Sequence, residues 1–220
     1  MLKAATVALA TLILSGTPTS DAVTLDQAVD GLQAKYETVT DFKATFKQVV
    51  KRKHLPRPLK KQGTVYFKKP GMMRWDYAQP DRVYYVSDGE ILWSYQPADK
   101  LVHKLRVKDS ELYSALGFLF GQGDLRKEFN LALGDASDGL VALTLTPKIK
   151  QSNYKTLTLR LDPSSWEIKV TELVDPLDNV STVSFIDPSY DTLKESGFKF
   201  TPPKGVQVED LQAQRRGNAP

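Results

Sequence analysis

The chain has 220 residues, of which 30 are basic and 26 acidic, and 41% are hydrophobic. That length can bury a substantial core, and the composition is that of a globular protein rather than a disordered one. With no cysteine and only two histidines, disulfides, thiolate metal sites, cysteine nucleophiles and a lipid-modified cysteine are excluded, and little is left for metal or triad chemistry.

Met1 to Ala22 reads as a secretory signal peptide. Lys3 gives a basic start, Ala4 to Leu14 is an apolar run, Gly16 and Pro18 break it, and Ser20-Asp21-Ala22 is a small-x-small cleavage site. The run is too short to span a bilayer; the competing reading is a buried N-terminal helix or an uncleaved anchor. Export without cysteine points to a Gram-negative periplasm.

The single domain then expected from residue 23 to 220 begins with a helix. Thr24 caps it and Gln27 completes a capping box, with Leu25, Ala28, Val29, Leu32 and Tyr36 on one stripe. At Asp41 the period changes to two: Phe42, Ala44, Phe46, Gln48 and Val50 alternate with mostly polar residues. Further strand patterns cover 63–68, 72–78, 82–87, 90–95 and 101–107. Between them stand turn signals, of which Asp88-Gly89 predicts a tight hairpin with φ > 0 at both central residues. A greasy helix is predicted over 111–120. Strands resume at 128–133, 140–146, 155–162, 166–174 and 180–186, with a last short strand at 198–201 and a polar tail over 211–220. About a dozen strands and two helices predict a mainly β fold. Its antiparallel sheet curls around its own apolar face, and helices plug the opening.

Catalytic patterns are scarce. His54 and His103 stand without a G-x-S-x-G serine, and there is no His-x-x-x-His pair, calcium loop or phosphate-cradling glycine loop. The aromatics carry more information. On a strand Met73, Trp75 and Tyr77 share one face, opposite Met72, Arg74 and Asp76, and Trp93 projects from a neighbouring strand. These residues are either plain core or the lining of a site for varied apolar shapes, where methionine is the adaptable filler.

Charge is polarised. Eleven basic residues and no acid lie between Lys43 and Trp75, so the rest of the chain after the signal peptide carries −7 against a total of +4. Lys51, Arg52, Lys53, Arg57, Lys60 and Lys61 crowd one Pro-containing loop. That loop is either simply solvated or an electrostatic handle for an acidic partner or anionic lipid. Nucleic acid is disfavoured, because export removes the chain from it.

The run Phe67-Lys68-Lys69-Pro70-Gly71-Met72-Met73-Arg74-Trp75-Asp76-Tyr77-Ala78-Gln79-Pro80 resembles the LolA family of periplasmic lipoprotein carriers. Val86-Ser87-Asp88-Gly89, Leu92-Trp93-Ser94-Tyr95 and the segment from Phe198 to Val206 support the resemblance. It implies an incomplete, strongly bent β-barrel with an α-helical lid over an apolar cavity for lipoprotein acyl chains, and neither enzymatic activity nor a cofactor. Cargo would come from an inner-membrane ABC transporter and go to an outer-membrane receptor or the membrane itself, with the chain a monomer. The resemblance also places at Lys69 the arginine that ties the family's lid shut, with Arg74 as a possible substitute. The expected cavity residues are Phe46, Met73, Trp75, Tyr77, Trp93, Leu116, Phe118 and Leu119. A related barrel-and-lid module for another lipid or glycolipid is the alternative.

Overall fold

The computed structural model describes residues 22–107 and 124–211. Helix α1 (Leu25–Thr38) starts as its sequence dictates. The Thr24 hydroxyl accepts from the Gln27 N–H at 3.2 Å, and the Gln27 side chain accepts from the Thr24 N–H at 2.8 Å. Eleven strands and one short helix follow: β1 (Asp41–Lys51), β2 (Leu59–Lys68), β3 (Met72–Gln79), β4 (Val83–Ser87), β5 (Ile91–Gln96), β6 (Leu101–Arg106), α2 (Leu125–Glu128), β7 (Phe129–Leu133), β8 (Val141–Pro147), β9 (Thr156–Leu161), β10 (Ile168–Val174) and β11 (Val180–Ser189). A 3-10 turn (Glu195–Phe198) leads to β12 (Gln207–Asp210).

All twelve strands form one open, curled sheet in the order β12-β6-β5-β4-β3-β2-β1-β11-β10-β9-β8-β7. Each sequential hairpin pairs antiparallel, and so do β1 and β11; β12 alone runs parallel, beside β6. Register shifts in β1–β11, β2–β3 and β9–β10 supply the local kinks that help a long sheet coil. The alternation in β1 holds from Phe42 to Lys47, with Phe42, Ala44 and Phe46 buried and Lys43, Thr45 and Lys47 exposed; it lapses at the ends, where Asp41 is buried and Gln48, Val49 and Val50 are all half-buried.

The concave side holds two apolar clusters. Over β8 to β10 the stripe of α1 (Val29, Leu32 and Tyr36) packs on Leu143, Leu145, Leu157, Leu159, Leu161 and Ile168. Beneath β1 to β5 the cluster is largely aromatic, including Phe42, Phe46, Phe67 and Trp75 with Met73. Val39 and Phe185 touch both clusters. Gly31 sits mid-helix, where glycine costs about 1 kcal/mol, for a steric reason. A Cβ there would lie 2.3 Å from the Trp166 ring, so only glycine lets α1 settle on that indole.

Two expectations need correction and three fall outside the described residues. Asp88-Gly89 is not the two-residue turn: only Gly89 has positive φ, and the Asp88 carboxylate accepts the N–H groups of Glu90 and Ile91 instead. The hairpin with φ > 0 at both central residues is Asp138-Gly139 (φ 57° and 74°). The segment 198–201 is not a strand; it belongs to a strap that crosses the convex face and feeds β12, which the sequence reading missed. The signal peptide through residue 21, the greasy helix at 111–120 and the tail from 212 lie outside the described residues.

Candidate functional site

Strand parity decides which predicted residues meet. Phe46 of β1 and Met73, Trp75 and Tyr77 of β3 converge on the concave face. The Phe46 ring lies edge-on to Trp75 at 4.8 Å and to Tyr77 at 4.9 Å. Phe67 approaches Trp75 at 6.0 Å, and Phe42 lies 5.9 Å from Phe67 and 5.7 Å from Phe185. Gly63, opposite Phe46 on β2, gives this ring its room: a Cβ there would stand 2.9 Å from Phe46 and 2.0 Å from the Asp76 carbonyl oxygen.

Trp93 does not join them. It is paired with Val86, which in turn faces Arg74 across the β3–β4 ladder, so the register puts Trp93 on the convex side. There its ring meets Phe200 of the strap at 5.7 Å and lies under Lys104. Leu116, Phe118 and Leu119 fall outside the described residues.

The aromatic stripe has a polar end. The Tyr77 hydroxyl donates to Gln48 Oε1 at 3.1 Å, Gln48 Nε2 donates to Ser181 Oγ at 2.8 Å, and Lys61 Nζ stands 5.4 Å from the centre of the Tyr77 ring. Burial, and then Tyr85, push the Tyr77 hydroxyl well above the usual tyrosine range, so it remains a neutral donor. Trp75 is different: it is 6% exposed, and among the described residues its indole N–H has no hydrogen-bond partner.

At the other end a crevice opens between the two clusters, lined by Tyr36, Val39, Phe42, Phe67, Ile168 and Phe185 together with Lys69. Its cavity volume is only about 30 Å³. That is room for a water or two; a larger guest must part its walls. Tyr36 spans the base, its hydroxyl accepting the Ile168 N–H at 3.2 Å, and burial raises its pKa to about 12.

Lys69 is bonded where a latch would be. Its ammonium donates to the carbonyls of Tyr36 and Glu37 in the last turn of α1, the latter at 3.3 Å. A cation there satisfies orphan carbonyls and complements the helix dipole. Burial pushes the Lys69 amine below the usual lysine range, and Glu37 opposes that shift. Arg74 is no substitute. It lies on the convex face, bonded to Asp76 (2.8 and 3.0 Å) and to the Gly197 carbonyl of the strap (3.0 Å).

In the sequence Asp41 stands only as the polar start of the β1 alternation. It is buried because the strap crosses it, and its carboxylate accepts from Lys68 Nζ (2.9 Å), the Leu193 N–H (3.0 Å) and the Thr40 hydroxyl (2.9 Å). Burial pushes its pKa up, but the Leu193 amide, Lys68 and Thr40 outweigh that and leave it below the usual carboxylate range. The cross-strand pairing of Asp41 with Lys68 was the available signal.

The basic residues gather at the polar end of the stripe. Lys51, Arg52, Arg57 and Lys60 are exposed and make no ion pair among the described residues. Lys53 bridges to Asp178 at 2.8 Å, tying the β1–β2 loop to the β10–β11 turn. Lys61 belongs to the concave face of β2 rather than to the loop. His54 is exposed in that loop, and His103 Nε2 meets Glu209 of β12 at 3.4 Å.

An open, curled sheet whose concave face is apolar, with a helix packed across one half, defines a half-barrel binding protein. A sequence profile described as outer membrane lipoprotein carrier protein LolA matches residues 37–201, and the chain belongs to that family. Outer-membrane lipoprotein carrier proteins of Ralstonia nicotianae and Nitrosomonas europaea are each 30% identical to it. Both alignments span 82% of this chain, with 86% and 88% of the respective relatives. A carrier of the same description from Dechloromonas aromatica is 29% identical over 82% of this chain and 86% of the relative. Among solved structures, an uncharacterized conserved protein of Thermus thermophilus shares the fold. It superposes with a TM-score of 0.53 at 12% identity, over 84% of this chain and 98% of its own.

Proposed function

We propose that this protein carries lipoproteins across the periplasm. It would bind acyl chains released from the inner membrane on the concave face of β1 to β5 and deliver them to the outer membrane. The observation that carries the reading is the aromatic stripe of Phe46, Met73, Trp75 and Tyr77, continuous with a crevice that has apolar walls. Family membership and the names of the relatives support the cargo class.

The energetics explain why a carrier is needed. Burying one CH₂ is worth about 0.8 kcal/mol, so a sixteen-carbon chain represents roughly 12 kcal/mol. A protein bearing two or three such chains will not enter water unaided at a useful rate. The carrier must offer a comparable apolar surface and then give it up. The work is binding and release, without turnover. In this reading the signal peptide delivers the chain to the periplasm, and an inner-membrane ABC transporter is the donor. An outer-membrane receptor or the membrane itself is the acceptor. Lys51, Arg52, Lys53, Arg57 and Lys60 form the docking surface at the end where the polar head of the cargo emerges. Lys69 holds the base of α1 until loading parts the two clusters.

The test is mass spectrometry of an organic extract of the protein purified from the periplasm. Diacyl or triacyl lipopeptides are expected in stoichiometric amounts. A different lipid class, with no lipopeptide, would overturn the proposal.

A further inference from the structure

We propose that the indole N–H of Trp75 is a docking donor for the carbonyl of an ester- or amide-linked acyl chain. The concave face would then select acylated ligands over hydrocarbon of the same bulk. This rests on the carrier reading and adds a chemical selectivity to it.

An indole nitrogen can only donate, and a buried donor left without an acceptor is costly and uncommon. Trp75 is 6% exposed and its Nε1 has no partner among the described residues. Its ring neighbours Phe46, Phe67 and Tyr77 offer π faces, which are weak acceptors at best. The contrast with Tyr77 is informative, because that hydroxyl is already engaged by Gln48.

Depth along the strand supplies the second argument. Trp75 lies two residues below Tyr77 on β3, about 7 Å along the strand. Above it are the polar groups of Tyr77, Gln48 and Lys61; below it are Met73, Phe67 and Phe42. In an acylated ligand the carbonyl is the first polar group, at the junction of tail and head. A tail laid toward Phe42 with its head at Lys61 places that carbonyl beside Trp75. A plain hydrocarbon would leave the N–H unpaired, and an ether-linked chain offers no carbonyl, only an ether oxygen displaced one atom toward the head group.

The experiment compares two water-soluble peptides, one with a dipalmitoylglyceryl group in ester linkage and the other with the matching dialkylglyceryl group in ether linkage. The chain has three tryptophans, so the indole region of a ¹⁵N-resolved spectrum is simple. The Trp75 indole proton is expected to move downfield with the ester peptide and not with the ether peptide. The ester peptide should bind about fivefold to tenfold more tightly, the scale of one hydrogen bond. Trp75→Phe should erase that ratio. Equal affinities in the wild type, or the same Trp75 shift with both peptides, would overturn the proposal. The spectrum of the wild-type protein decides the matter even if the variant folds poorly. Binding of neither peptide would remove the carrier reading, and this proposal with it. Binding of both without discrimination removes only the proposal.

Discussion

The two halves of the concave face are built from different materials. Under α1 the contacts are aliphatic and nested: Leu143, Leu145, Leu157, Leu159 and Leu161 are all essentially inaccessible, and a helix stripe fills the space above them. Under β1 to β5 the contacts are between rings meeting at steep angles, with a methionine among them, a polar rim and one N–H unanswered among the described residues. Branched aliphatic side chains interlock and hold one arrangement, whereas flat rings and a thioether can slide and repack at smaller cost. One half is built to stay as it is; under the proposed function the other is the half that accepts a guest. The crevice lies at the seam between them.

The largest expected effect would break that contrast if it failed. Leu159→Ala, in the helix-covered half, should lower unfolding free energy by about 2–5 kcal/mol, read from urea denaturation. The affinity of the folded fraction for an acyl probe should be unchanged. Tyr77→Asp should do the reverse. Acyl-probe affinity should fall more than tenfold, because a charge then stands at the rim of the apolar stripe, and the denaturation midpoint should move less than for Leu159→Ala. Equal loss of binding in both variants would mean that the halves are one functional unit.

Two smaller effects test how the halves are joined. Asp41→Asn removes the anion that holds Lys68 and the Leu193 amide, and should cost about 1–3 kcal/mol. It should also reshape the acid limb. The lowered pKa of Asp41 means that its stabilisation is complete above about pH 4. That stabilisation is lost as the pH falls through the depressed value. Thermal melts of the wild type should therefore steepen downward on acidification more than those of the variant. Thr24→Ala deletes the capping box and should cost about 1 kcal/mol, appearing as faster amide exchange in the first turn of α1 while exchange in β1 to β3 is unchanged.

How far the sequence could be read depended on the range of the interactions involved. The cap at Thr24 and Gln27, the stripe of α1 and the alternation of β1 from Phe42 to Lys47 are local, and the folded chain keeps all of them. Phe46, Met73, Trp75 and Tyr77 could be brought together by parity along the β1–β2–β3 meander. Trp93 could not, because its face depends on two successive registers, β3 with β4 and β4 with β5, which place it opposite Val86 and so in line with Arg74 on the convex side. The burial of Asp41 depends on a strap about 150 residues further along the chain, and no local pattern announces a contact of that kind. β12 was missed because Gln207–Asp210 is polar and short, with only one partly buried side chain. Its strand character comes from the edge of β6 rather than from its own residues.

That short last strand has a consequence for how the molecule behaves in company. A sheet that, under the proposed function, loosens its interior would ordinarily present a long free margin on which a second chain could crystallise a ladder of its own. Here the margin of β6 is already taken by four residues running parallel to it, ending in Glu209 and Asp210, which face His103 and Lys104. The new margin is short and acidic, a poor template for recruiting another strand. The strap thus works as a selvedge: it finishes the woven edge, so that the fabric can flex without unravelling into its neighbours.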